Sequence, residues 1–219
     1  MKTILCYGDS NTWGYMPKKD EPRITSANRF PWNVRWTGLL QEKLGPDYRI
    51  IEEGLNGRTT AFDCPMDDDR NALRDIAVTL ETHAPLDLVI IMLGTNDTKV
   101  TFSLHPYVIA HGVERLIGKI KGAGFGPDGS DPEILVAAPV RLGEGIEETW
   151  VRYEFDRTSV ERDRLLPEFY KRAADYAGVH FVDAGASIAA DPVDCVHMNE
   201  AGHAKMAALM YDQIKAILG

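Results

Sequence analysis

The sequence predicts an α/β domain built in three layers, with a parallel sheet held between two sheaths of helices. Short apolar runs rich in β-formers recur along the chain, and stretches with helical periodicity fill the gaps between them. Each of the first three runs ends in a polar loop that contains glycine, as strands of an open parallel sheet do where they turn back into a helix.

The strands are expected at residues 3–7, 49–52, 86–93, 134–138 and 180–182, all mostly continuous in apolar character, which suits burial on both faces. Helices are expected at 36–44, 70–82, 107–121, 159–177 and 200–218. Gly45 and Gly178 stand just past two of these helices, where the chain needs a residue that tolerates positive φ, and Pro85 closes another. Residues 122–132, dense in glycine and proline, read as a surface loop. Residues 143–155 suit either an irregular lid or a partner-facing segment. No solenoid-period repeat or low-complexity tract interrupts the pattern. Repeated βαβ units then imply a flavodoxin-like three-layer α/β/α domain with five parallel strands in the order 2-1-3-4-5, spanning residues 1–219 as a single domain.

Composition narrows the function. With 219 residues, 44% hydrophobic and 26% charged, the chain is an ordinary globular sequence. A net charge of −9 argues against a nucleic-acid partner, which needs a clustered basic surface. The apolar run before Gly8 is too short for a secretory core, and no stretch is long enough to span a bilayer, so a cytoplasmic protein is expected. The 3 cysteines, Cys6, Cys64 and Cys195, are odd in number and far apart, and do not read as a disulfide framework.

Ligands of such sheets bind beyond the carboxyl ends of the strands. The loops there carry Gly8-Asp9-Ser10, then residues 54–58, then Gly94-Thr95-Asn96-Asp97, and finally Asp194 with His197. A hydroxyl nucleophile needs a base in hydrogen-bond reach, and the base needs an acceptor that orients it. Ser10, His197 and Asp194 can fill those places. The backbone N–H groups of Ser10 and Gly57 and the side-chain amide of Asn96 are candidate donors for an oxyanion. Trp13, three residues after Ser10, is the aromatic expected to line a small acyl pocket. His203 competes with His197 but falls inside the last helix. A metal site built from Asp183, Asp194, His197 and His203 lacks the spacing of strong metal motifs, so no metal or organic cofactor is expected. Asp9 and Asp97 are read as structural, as are Cys6 and Cys195, and 67–69 as a solvated acidic loop.

These blocks, Gly8-Asp9-Ser10, Gly57, Gly94-Thr95-Asn96-Asp97 and Asp194-Cys195-Val196-His197, resemble in kind and order the four signature blocks of the SGNH, or GDSL-type, hydrolases. Residues 35–38, 52–55, 58–60 and 86–99 resemble more narrowly the bacterial arylesterase and acyltransferase branch. The resemblance implies an SGNH hydrolase fold and a serine esterase acting on short-chain, often acetyl, esters of aryl or simple alcohols. It further implies a capacity to transfer the acyl group to alcohols or peroxide (acyltransferase or perhydrolase activity), and a homo-oligomer. Two positions depart from the pattern: Asn11 stands where leucine is usual and is read as a packing position, and Cys195 stands where glycine is frequent. The enzymatic alternative is a carbohydrate acetyl esterase, with aromatics of 143–155 stacking on sugar rings. The non-enzymatic alternative is a flavodoxin-like module binding FMN or another anion at the strand ends, although the first loop lacks a phosphate-cradling glycine series.

Overall fold

The computed structural model describes residues 1–20, 22 and 24–219. Its elements run β1 (Lys2–Gly8), α1 (Ser10–Trp13), α2 (Trp36–Leu44), β2 (Tyr48–Gly54), α3 (Ala72–His83), β3 (Leu88–Met92), α4 (Pro106–Ile120), β4 (Glu133–Ala138), α5 (Arg157–Ala177), β5 (His180–Asp183) and α6 (Glu200–Leu218). The five strands form one sheet in the order β2-β1-β3-β4-β5, and every pair is parallel. Both the order and the direction are those expected from the sequence.

Alternation within β1 sorts side chains to the two faces. Leu5 and Tyr7 join Val89, Ile91 and Val136 beneath α3, α4 and α5, while Ile4 and Cys6 join Ile50, Leu88, Ile90 and Leu135 beneath α2 and α6. Both faces are covered, which is why the strands read as continuous apolar runs. Cys6 is a small buried hydrophobe in this packing.

Several boundaries move by a residue or two, each for a local reason. The helix expected from residue 70 begins at Ala72 because the Asn71 side chain caps it, accepting from the Leu73 N–H at 3.1 Å. α5 starts two residues earlier than expected, because Asp156 and Ser159 form a reciprocal capping box. α1, one turn long, was hidden in what reads as a strand-end turn. Asp9 caps it by accepting from the Asn11 N–H at 2.9 Å.

Residues 143–155 form two short 3-10 turns, Ile146–Glu148 and Trp150–Tyr153. Ile146, Val151 and Phe155 are buried with Leu142, Val160, Cys195 and Val196 in a third, small apolar cluster. The segment is therefore packed against the loop that carries His197. Among the described residues, no helix is long and apolar enough to cross a membrane.

Asp163 of α5 is buried and ties this region to the core, accepting from the Leu142 N–H at 3.2 Å, while its other oxygen has no partner among the described residues. Burial, only partly opposed by the Leu142 amide and Arg141, raises its carboxyl to about 7. The folded chain thus holds this proton more tightly than the unfolded chain, so the group's contribution to stability is greatest in acid and is lost as pH rises from about 4 through 7. Asp163→Asn keeps the acceptor for Leu142 and cannot ionise. Thermal melts of both proteins should show the variant gaining on the wild type between pH 4 and pH 8, by a few kcal/mol at most. A Tm difference that stays constant across that range would contradict this role for Asp163.

Candidate active site

The sheet register brings the loops together. Gly8, the last residue of β1, lies opposite Gly54 on one side and Met92 on the other, so the chain leaves three adjacent strands at one level. Arg58 spans the gap between the first two loops, donating from its guanidinium to the carbonyl oxygens of Gly8 at 2.8 Å and Glu53 at 2.5 Å. Asp97 joins the second loop to the third by accepting from the Thr60 hydroxyl at 2.6 Å and the Thr60 N–H at 3.0 Å. Asp9 and Asp97 are both almost completely buried, and desolvation raises each carboxyl to about 6 against the donors that favour its charged form.

The fourth loop folds around Asp194. One of its carboxylate oxygens accepts from the Val196 N–H at 3.0 Å and the His197 N–H at 2.9 Å, closing a tight Asx turn. The other lies 2.8 Å from His197 Nδ1. Burial of Asp194 pushes its carboxyl up, but the bond to His197, the charge there and the two amides outweigh burial and hold it below the ordinary range. An ionised Asp194 requires a proton on Nδ1, which leaves the Nε2 lone pair free to accept. Ser10 Oγ lies 3.0 Å from Nε2. Ser10, His197 and Asp194, separated by up to 187 residues of chain, thus form one hydrogen-bonded line.

The candidate oxyanion donors lie on the same cavity. Ser10, Gly57 and Asn96 all line a hollow of about 360 Å³ that also contains His197. Gly57 adopts φ +77°, a backbone state that suits glycine. Asn96 donates one amide hydrogen to the Arg58 carbonyl at 3.1 Å, which fixes the amide plane and leaves its second hydrogen to serve a ligand.

Trp13 is not among the residues that line this hollow. Its ring faces the Arg29 guanidinium, 4.9 Å away, because α1 ends after a single turn at Gly14 and the chain reverses there. Tyr15 takes the place expected of it. That ring is buried and lies 4.3 Å from the His197 ring, tilted by 35°. A helix of four residues leaves no periodicity from which to choose between the two aromatics. The other walls are Leu55, Val151, Phe155, Val196 and Trp150, with Arg70 and the Lys99–Glu154 ion pair among the polar lining. His203 is buried elsewhere, where its Nδ1 accepts from the Trp36 N–H at 3.2 Å and desolvation lowers its pKa to about 4. No cluster of three His, Cys, Asp or Glu side chains suited to a metal ion occurs among the described residues.

Cys195 adopts φ +62°, a strained state for a residue with a side chain, in the turn between Asp194 and His197. A Cβ on Gly143 would come within 2.7 Å of its sulfur and 2.8 Å of its Cβ. Gly143→Ala should therefore shift the turn that carries His197 and lower kcat at least tenfold, since a displacement of about 1 Å at reacting groups is worth about 10²-fold. Adding Cys195→Gly should recover part of that loss in steady-state assays. A double variant as impaired as Gly143→Ala would show that the two residues do not act through this contact.

Known proteins share this geometry's scaffold. The chain is 38% identical to the aryl esterase of M. smegmatis, with 100% of each chain covered and a TM-score of 0.92. It is equally 38% identical to a carbohydrate acetylesterase of Sinorhizobium meliloti, again over 100% of both chains, with a TM-score of 0.91. A lipase/acylhydrolase of Enterococcus faecalis, 18% identical over 99% of this chain and 96% of its own, shares the fold at a TM-score of 0.68. None of the curated proteins matches the chain. The sequence profile of the GDSL-like lipase/acylhydrolases matches residues 6–205, and with it the loops that carry Ser10, Gly57, Asn96, Asp194 and His197; the chain belongs to that family.

Proposed function

We propose that this carboxylic ester hydrolase cleaves short-chain esters through an acyl-Ser10 intermediate. The observation that carries this reading is the unbroken line from Ser10 Oγ to His197 Nε2 at 3.0 Å and from Nδ1 to Asp194 at 2.8 Å, opening on one cavity. As Ser10 Oγ attacks the carbonyl carbon, its proton passes to His197 Nε2. The negative charge that develops on the carbonyl oxygen is met by the N–H groups of Ser10 and Gly57 and by the free amide hydrogen of Asn96. Collapse of the tetrahedral intermediate breaks the ester bond, and the proton on Nε2 leaves with the alcohol. Water then attacks the acyl-serine as His197 takes its proton; collapse breaks the acyl–Oγ bond, the proton on Nε2 returns to Ser10 Oγ, and the acid is released. Asp194 stabilises the imidazolium in both halves without itself being protonated. Tyr15 packs on the ring that becomes cationic and limits its rotation.

The hollow beside Ser10 is about 360 Å³, and its apolar walls are Val151 and Phe155 of the small cluster, the buried Tyr15 and the half-buried Leu55. This supports a small acyl group and an aryl or simple alcohol. An alcohol or peroxide in place of water would make the same intermediate an acyl donor, which is the acyltransfer that the narrower resemblance implies. A second reading, hydrolysis of acetylated carbohydrates, is favoured by a groove of about 840 Å³ that shares Trp150 with the catalytic hollow and is lined by Lys19, Asp20, Glu147, Glu148 and Arg152. Such a groove suits a larger, polar alcohol portion. The cysteine pattern supports a cytoplasmic protein, and the resemblance implies a homo-oligomer.

Ser10→Ala should reduce kcat for phenyl acetate by a factor on the order of 10⁴ to 10⁶ with little change in binding. Asn96→Ala should reduce it by about 10² to 10³. Near-normal hydrolysis by purified Ser10→Ala would remove the nucleophile assignment. In chain-length series, activity should fall steeply from acetyl to octanoyl esters, and a flat profile would contradict the small acyl site. Comparing acetylated xylose with phenyl acetate, in wild type and Trp150→Ala, decides between the two alcohols: a loss confined to the sugar ester supports the groove.

A further inference from the structure

We propose that Asn11 is a positioning residue, whose side chain clamps the backbone on either side of His197 and so sets the distance from the imidazole to Ser10. The proposal rests on the roles given to Ser10 and His197 above. Asn11 follows Ser10 directly and is buried at 2% exposure. Its Nδ2 donates to the Val196 carbonyl at 3.2 Å, and its Oδ1 accepts from the Met198 N–H at 2.9 Å. The two bonds therefore bracket His197, reaching the residue before it and the residue after it. Asn11 is itself held from below, because its own N–H donates to the Asp9 carboxylate at 2.9 Å.

The chemistry of the amide makes this a clamp. It offers one donor edge and one acceptor edge in a single plane, as a strand's backbone does, and here it pairs with a backbone that has no strand beside it. Apart from bonds within its own loop, from its N–H to Asp194 and from the Asp191 N–H to its carbonyl, His197 is held through its ring: Asp194 bonds Nδ1 and Tyr15 packs against the face. Neither ties the His197 backbone to the segment that carries Ser10. Asn11 does so across 185 and 187 residues of chain. The position reads from sequence as a packing site because the resemblance to the GDSL-type hydrolases implies leucine there. Leucine has similar bulk but neither edge, so in this chain it would leave the Val196 carbonyl and Met198 N–H buried without their partner. Substituting the residue that is customary in the family is thus expected to damage this enzyme.

Asn11→Leu and Asn11→Ala should be assayed with phenyl acetate at a temperature well below their Tm, with Ser10→Ala in parallel and rates expressed per folded molecule from near-UV circular dichroism. The alanine variant leaves room for water to reach the two backbone groups, and it carries the test should the leucine variant fail to fold. The expected result is a kcat lowered about 10- to 100-fold with KM changed less than about threefold, as a misplaced base requires. A kcat per folded molecule within about twofold of wild type, or a loss expressed in KM alone, would overturn the role given to Asn11. Should Ser10→Ala retain activity, the underlying nucleophile assignment fails, whatever the Asn11 variants do. Should Ser10→Ala be inactive while both Asn11 variants keep their kcat, only the clamp is lost.

Discussion

Three carboxylates, Asp9, Asp97 and Asp194, are buried at the carboxyl edge of the sheet, and each must find donors there or destabilise the fold. The donors they find belong to the loops that need to be held. Asp9 accepts from the Asn11 backbone N–H and orders the turn around Ser10; Asp97 accepts from Thr60 and links the loops after β2 and β3; Asp194 accepts from the Val196 and His197 N–H groups and shapes the turn that presents the imidazole. An unmet buried acceptor forfeits about 1–3 kcal/mol, so each arrangement resists drifting.

The three do not share one electrostatic fate. Burial dominates at Asp9 and Asp97 and raises both toward neutrality, whereas at Asp194 the imidazole and two amides overcome it and favour the charged form. That difference suits their places in the molecule. A carboxylate that only braces loops can tolerate being weakly acidic, whereas in the role proposed for Asp194, stabilising an imidazolium, the carboxylate has to stay ionised when the proton arrives. Arg58 contributes to the same balance: its guanidinium faces the Tyr7 ring at 4.3 Å and bonds two carbonyls at strand ends, supplying positive charge at the edge where negative charge collects.

Around this frame, the wall of the cavity comes from segments with no repeating pattern. Residues 143–155 bury Ile146, Val151 and Phe155 against Cys195 and Val196, so the wall and the turn bearing His197 form one packed unit. Trp150 donates to the Lys18 carbonyl at 2.9 Å and fastens that unit to the chain following α1. Cavity shape and imidazole placement are consequently coupled: a change in the outer segment reaches His197 through Cys195 and Val196, which precede it in the chain.

The order of the strands, the helices between them and the polar blocks at the strand ends were all legible in the residues, because alternation, helical period and turn chemistry are local properties that survive in a one-dimensional string. Since a parallel sheet gathers its strand ends at one edge, even the association of Ser10 with His197 could be anticipated from topology. What remained for tertiary structure was every choice between chemically similar neighbours: Tyr15 rather than Trp13 on the cavity, Asn11 as a clamp rather than packing, residues 143–155 as a docked wall. Those choices depend on which way a single helical turn releases the chain and on which backbone groups 185 residues away lack a partner. Such quantities exist only once the chain has folded, because they are set by distance in space and not by order along the sequence.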